Sequence, residues 1–257
     1  MSQFLVSAYN LKDKTFEVTG SDAFKLNRVL RKKPGDAVRL FDGKGRTLWG
    51  EISTLSDMSV RGRLMEAPPS FTPSYEHLGR GVLLYQSIPK GQRWDWVLEK
   101  GCELGVAAFY PMRSANSVVT IEKKDVPSKL ERWKRIVATA AKQCNTPRIP
   151  EVAAPLSFEE AMVQCSKLKD VLKIFCWEAE SATPLWRLFG SLQVYPKLAV
   201  LFIGPEGGWS QAEVETARRN GFLMAGLGPL VLRSDTAPLV AVSMLHALYG
   251  AYLIEPG

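Results

Sequence analysis

Two glycine-bearing segments hold the residue types that bind ligands and react. The first is Leu201-Phe-Ile-Gly-Pro-Glu-Gly-Gly-Trp-Ser-Gln-Ala-Glu. An apolar run ends at Ile203, and Gly204, Pro205, Glu206, Gly207 and Gly208 follow it. Glycines let a backbone approach a ligand closely or take positive φ. Ser210 and Glu213 form an S-x-x-E capping box, so a helix opens directly after the loop. This layout can hold phosphate, yet neither G-K-[ST] nor G-x-G-x-x-G is present. Nucleoside triphosphate and dinucleotide sites are therefore disfavoured, and a plain tight turn remains the bland alternative.

The second segment is Leu227-Gly-Pro-Leu-Val-Leu-Arg-Ser-Asp-Thr-Ala-Pro, again passing from strand through loop to helix. Ser234, Asp235 and Thr236 suit helix capping. Capping does not explain Arg233, a cation at the positive end of a helix. A third loop, Trp177-Glu-Ala-Glu, offers Glu178 and Glu180, which bind ligand polar groups or are merely solvated.

The elements around these loops divide the chain in two. Phe4-Leu-Val-Ser, Thr15-Phe-Glu-Val, Ala37-Val-Arg-Leu-Phe and Thr47-Leu-Trp-Gly-Glu-Ile read as short strands, with one helix near Ser21–Arg31. Pro34-Gly35-Asp36 and Asp42-Gly43-Lys44-Gly45 are turn signals, and the pattern suggests a small barrel. The proline-rich stretch Ala67–Pro73 is a natural linker. Beyond it, strands and helices alternate. Strands are expected at Val82–Gln86, Ala107–Pro111, Leu172–Trp177, Leu198–Ile203, Gly221–Leu227 and Leu230–Leu232. Helices are expected at Trp94–Leu104, Leu130–Gln143, Phe158–Ser166, Gln211–Asn220 and Ala237–Ile254. Such alternation implies an α/β fold with a mostly parallel sheet and ligands beyond the C-terminal strand ends.

Composition narrows the classes further. Apolar residues at 46% and charged residues at 23% make an ordinary globular balance. The formal net charge is +7, and Lys25–Arg46 holds eight bases against Asp36 and Asp42. Such a cluster attracts phosphate backbones, or is a solvated basic face. Four cysteines without C-x-x-C spacing and two histidines argue against a metal site, so no metal is expected. The cysteines read as reduced core residues of a cytoplasmic protein. The first residues lack the pattern of a signal peptide. Ala237–Ile254 is nearly free of charge and close to membrane-span length, but Ser243, His246 and Gly250 interrupt it. A buried helix, part of it in a subunit interface, is the preferred reading.

The two loop segments together resemble the 16S ribosomal RNA uridine-N3 methyltransferases, a branch of the SPOUT superfamily. Arg28-Val-Leu-Arg-Lys-Lys-Pro-Gly-Asp, Leu40-Phe-Asp-Gly, Lys90-Gly-Gln-Arg-Trp-Asp-Trp-Val-Leu-Glu-Lys and Glu103-Leu-Gly-Val extend the resemblance over nearly the whole chain. It implies a PUA-like RNA-binding β-barrel over residues 1–72 and a SPOUT methyltransferase domain with a C-terminal trefoil knot over residues 73–257. It implies a homodimer and S-adenosyl-L-methionine held by the three loops. The cofactor residues would be Trp177, Glu178, Ile203, Gly204, Pro205, Glu206, Gly207, Gly208, Leu227, Gly228, Leu232, Thr236 and Ala237. Arg28, Arg31, Lys32, Lys90 and Arg93 would contact RNA of the small ribosomal subunit. The chain departs from the family pattern at Ser234-Asp235-Thr236-Ala237, where Thr-Glu-Thr-Ala is usual, and at Ala141-Lys142-Gln143, where Ala-Glu-Gln is usual.

Methylation at uridine N3 requires an unpaired base that loses a proton. Arg233 is the expected stabiliser of the resulting anion, and Asp235 or Glu206 the expected proton acceptor or nucleotide-orienting group. Neither histidine falls in a motif, so histidine base catalysis is not expected. Two other readings are a SPOUT methyltransferase acting on another RNA position and a non-catalytic RNA-binding ribosome-assembly protein.

Overall fold

The computed structural model describes residues 2–68, 81–179, 183–190 and 196–248. The chain divides into two compact units, Met1–Tyr75 with Ala138–Ile149, and Glu76–Val137 with Pro150–Gly257.

The first unit contains strands β1 (Gln3–Leu5), β2 (Ala8–Asn10), β3 (Thr15–Thr19), β4 (Ala37–Phe41), β5 (Thr47–Leu55) and β6 (Ser59–Met65). They form one six-stranded sheet in the order β1-β4-β5-β6-β3-β2. The β1–β4 pairing is parallel and the other four are antiparallel. Alternation puts Phe16, Val18, Val38, Leu40, Ile52 and Val60 into one core. The expected helix near Ser21–Arg31 is shorter and split. Helix α1 (Ser21–Phe24) widens into a π-helical turn over Lys25–Val29, closed by the Leu30 amide on the Lys25 carbonyl. Arg31 at φ 50° ends it. Strands β2 and β6 were not anticipated. Both are short or glycine-bearing and gain order by pairing with β3.

The second unit carries β7 (Gly81–Ser87), α2 (Arg93–Glu103), β8 (Val106–Arg113), α3 (Val126–Gln143), β9 (Glu151–Val152), β10 (Leu156–Ser157), α4 (Phe158–Ser166), β11 (Val171–Cys176), α5 (Leu185–Gly190), β12 (Leu198–Ile203), α6 (Gln211–Arg219), β13 (Leu223–Ala225) and α7 (Ala237–Leu248). The sheet runs β10-β8-β7-β12-β11-β13, with β9 on β8, and every pairing is parallel. On one face Tyr85, Phe175, Val200 and Phe202 meet Phe158 and Met162 of α4 and Val214 and Ala217 of α6. On the other, α2 and α7 pack on each other and on β7, β8 and β12. Strands covered on both faces read as continuous apolar runs, which is why Leu198–Ile203 was legible without alternation. Both capping boxes form: Ser157 with Glu160 opens α4, and Ser210 with Glu213 opens α6.

Three expectations need correction or comment. Leu230–Leu232 is not a strand but open loop, with Leu230 and Val231 77% and 84% exposed. Among the described residues no strand pairs with it, and Pro229 before it cannot donate. β13 is correspondingly shorter than Gly221–Leu227. Helix α7 covers the first part of Ala237–Ile254, and residues 249–257 lie outside the described residues, as do Glu180 and 69–80 of the linker region. Ala241, Val242, Leu245 and His246 are fully buried within the single chain. Among the described residues no helix is long and apolar enough to cross a membrane.

Candidate functional site

In a parallel sheet all C-terminal strand ends lie along one edge. Neighbours β12, β11 and β13 therefore bring the ends Ile203, Cys176 and Ala225 together. The three loops that follow enclose a cavity of about 390 Å³. That volume suits a small-molecule ligand.

The loop after β12 is fixed from several sides. The Gly208 amide closes a turn on the Pro205 carbonyl at 3.0 Å. The Asn116 side-chain amide donates to the Gly207 and Gly208 carbonyls at 3.2 and 3.1 Å. Buried Glu213 serves the α6 cap and also accepts from the Ala115 amide at 2.8 Å. The Trp209 indole lies beneath the loop, donating to the Cys176 carbonyl at 2.8 Å and tilted against Phe175 at 4.3 Å between ring centres. A Cβ at Gly204 would lie 3.0 Å from that indole. A Cβ at Gly208, where φ is +69°, would lie 2.3 Å from a Glu178 carboxylate oxygen. Gly204 therefore needs glycine for the close approach of the indole, and Gly208 for its backbone angle, since the Glu178 tip can swing aside.

Among the described residues, the loop after β13 is held at its ends. Gly226 pairs with the Thr183–Leu185 segment through two backbone hydrogen bonds. At the far end the buried Gln86 amide donates to the Ser234 carbonyl at 2.6 Å. The Arg233 carbonyl accepts from the Thr236 and Ala237 amides, which turns the chain into α7.

Of the predicted cofactor residues, Trp177, Glu178, Ile203, Gly204, Pro205, Glu206, Gly208, Leu227, Gly228, Leu232 and Ala237 line this cavity. Gly207 faces Asn116, and Thr236 is exposed beside α7; neither is on the cavity wall. Arg233 is on the wall and exposed, and its side chain makes no ion pair among the described residues. Sequence reasoning did not assign Cys176, Pro229, Leu230, Val231 or Ser234 to the cavity. A strand end and a loop middle carry no local signal for facing inward. Burial pushes the Cys176 thiol up to about 12, so it is a neutral wall and not a nucleophile.

The charged groups converge at the cavity mouth through Arg93. Its guanidinium donates to Glu206 Oε1 at 3.3 Å, and its Nε lies 4.0 Å from Asp235 Oδ2. The Lys90 amide also donates to Glu206 Oε1, at 3.1 Å. Burial raises the Glu206 carboxyl, but the Lys90 amide, its own amide, the Ser234 hydroxyl and the Arg93 charge outweigh it, and the carboxyl sits below its ordinary range. Asp235 differs: its Oδ1 is buried without a hydrogen-bond partner among the described residues. His246 is buried in α7, off the cavity, and burial lowers its pKa, partly offset by the Gly105 backbone.

The predicted RNA contacts in the first unit are unequal. Arg28 is locked onto Asp57 by two hydrogen bonds of 2.7 and 2.8 Å, and Lys32 reaches Asp36 at 3.9 Å. Arg31 makes no ion pair among the described residues. No group of three or more His, Cys, Asp or Glu suited to a metal occurs among them either.

The residues at the three loops fit S-adenosylmethionine in kind. Gly204 and Gly208 let the loop backbone lie against Trp209 and Glu178 on the cavity wall, Ile203, Leu227, Leu232 and Ala237 give apolar walls, and Glu178 and Glu206 supply negative charge near a cationic ligand. A family model described as RNA methyltransferase domain matches residues 77–246. The ribosomal RNA small subunit methyltransferase E of Bacillus subtilis (strain 168) is 31% identical over 236 residues, covering 90% of this chain and 89% of that protein. Its namesake from Synechocystis is 30% identical, covering 96% and 77% respectively. Among solved structures, a ribosomal RNA small subunit methyltransferase E from Neisseria gonorrhoeae bound to S-adenosyl methionine superposes with a TM-score of 0.80. Its identity is 27%, and 96% of this chain and 98% of that chain are covered. A Legionella pneumophila methyltransferase in complex with the same cofactor gives 0.76 at 29% identity, with 96% of each chain covered.

Proposed function

From the premise that this chain belongs to the RNA methyltransferase family, we propose that it methylates N3 of a uridine in 16S ribosomal RNA of the small subunit. The observation that carries this reading is the three-loop cavity with Arg233, Arg93, Glu206 and Asp235 gathered at its mouth. S-adenosylmethionine, when bound, supplies an electrophilic methyl group. The chain's own residues then do three things. The loop after β12, rigid and glycine-bearing, sets the position from which the methyl is offered, and alignment of this kind lowers the barrier entropically. Arg233 stabilises the negative charge that spreads over the uracil oxygens as N3 loses its proton. Asp235, whose carboxylate is partly exposed beside Arg93, takes or orients the N3 proton. Glu206 is the weaker base, because the Lys90 amide, its own amide, Ser234 and Arg93 already hold its charged form, and its part is to fix Arg93.

The same reading assigns residues 1–72 to a PUA-like RNA-binding barrel and residues 73–257 to a SPOUT domain with a C-terminal knot. Insertion of β12 between the earlier strands β7 and β11, with the chain returning to pack α7 on β7 and β12, supports the second assignment. Exposed Leu230 and Val231 at the cavity rim support a homodimer, since large apolar side chains rarely stay in water beside a site. A cytoplasmic place follows from the ribosomal substrate. The test is direct. Small subunits lacking the modification, incubated with the protein and labelled S-adenosylmethionine, should gain one methyl group at a uridine N3 by mass mapping. Label on a ribose or another base would move the chemistry elsewhere in the family, and cofactor binding without any transfer would favour an assembly factor.

A further inference from the structure

Helix α2 buries Trp94, Val97, Leu98 and Cys102, as its apolar stripe dictates. Trp96 lies on the opposite side and is 50% exposed. Packing does not call for a tryptophan there. Lys100 sits 5.0 Å from the centre of its ring and is itself held by Glu99 and Glu103 at 2.8 Å each, so one face of the indole is covered and the other is left.

Trp96 also borders a second, open hollow with Lys90, Gly91, Gln92, Arg93 and Asp235. Arg93 lines both this hollow and the three-loop cavity, so the two adjoin. The hollow's chemistry is that of a nucleotide. An aromatic face stacks a base, and such stacking tolerates any π-surface. Arg93 can donate to a uracil oxygen, and the Asp235 carboxylate, 21% exposed and bordering the hollow, can accept from an imide N–H. Lys90 can meet a phosphate. Cytosine offers no N–H at that ring position, so the acceptor selects uracil. The cations and the carboxylate disfavour an apolar protein partner on the same surface.

We propose that this hollow is the target-nucleotide subsite: the extruded uracil stacks on Trp96, with Asp235 facing its N3–H and Lys90 at its phosphate. The proposal rests on the methyltransferase reading above and adds a residue that reads and holds the base. The full-length protein is assayed with small subunits lacking the modification and labelled S-adenosylmethionine. Trp96→Ala should lower kcat/KM for transfer roughly 5- to 150-fold, as expected for losing one base–aromatic stack. Cofactor affinity by calorimetry should stay within about twofold of wild type, since Trp96 does not line the three-loop cavity. Trp96→Phe, which keeps a π-face, should recover most of the loss, while Trp96→Leu, similar in apolar character, should not. Equal transfer by wild type and Trp96→Ala overturns the subsite. So does a leucine variant as active as the phenylalanine one, or a loss that tracks a change of oligomeric state in sedimentation, which would assign Trp96 to a contact between copies. A wild-type protein that binds cofactor but transfers no methyl group to the subunits instead defeats the underlying reading.

Discussion

The loops after β12 and β13 flank the same cavity but are built in opposite ways. The first is held by Asn116, by Glu213 through Ala115, by the Pro205–Gly208 turn and by the Trp209 indole beneath it. The second is pinned at Gly226 and Ser234 and leaves Leu230 and Val231 in solvent between those pins. Rigid geometry is useful where a reacting group must be aligned, because ordering it in advance avoids the cost during reaction. A segment with few contacts opens at low cost, which suits entry of a ligand or the docking of another surface. The contrast teaches that one wall of the site is prepared in advance, whereas the other is completed by what binds.

Four substitutions break or sharpen that contrast. The largest effect is expected from Gly208→Val, which places a branched side chain at positive φ and against Glu178. Cofactor affinity should fall by more than about 100-fold, consistent with ~3 kcal/mol or more of strain and lost space, while circular dichroism stays native. Retained affinity would mean that the β12 loop is not a rigid wall. Arg233→Ala comes next, on the sparsely held side. Transfer should slow roughly 30- to 1,000-fold, with cofactor affinity near normal by calorimetry. An equal loss of affinity would make Arg233 a cofactor ligand instead.

Asn116→Ala removes two tethers from the rigid loop without touching the cavity wall. At ~0.5 kcal/mol for each exposed tether, the low end for a hydrogen bond, cofactor affinity should weaken roughly fivefold. No change would show that Trp209 and the capping box alone hold the loop. The smallest effect on stability is expected from replacing Leu230 and Val231 together by Ser. Exposed side chains contribute little to the fold, so denaturant unfolding should stay within about 0.5 kcal/mol of wild type. Sedimentation should nevertheless show weaker self-association, and an unaltered dimer would place the interface elsewhere.

Much of the second unit could be read residue by residue. Phe158–Ser166 and Leu198–Ile203 coincide with the expected segments, because a capping box and an unbroken apolar run are signals contained within a few residues. Leu230–Leu232 misled for the same reason. Its side chains suit a strand, yet a strand exists only if another offers backbone partners, and the edge strand β13 ends at Ala225. Arg28 and Arg31 look alike in the sequence, but only one faces Asp57, which arrives from 29 residues further along the chain.

The sequence by itself determined the glycine and capping chemistry of the loops, the alternation of elements and the excess of positive charge. These are set by local backbone freedom, side-chain periodicity and composition. Tertiary structure alone decided that Cys176, Ile203 and Ala225 end side by side, that Arg93 joins Glu206 to Asp235, and that Asp235 keeps an unpartnered oxygen. Those juxtapositions depend on strand order in a parallel sheet. That order is fixed by packing between residues more than a hundred positions apart, and no local pattern encodes it.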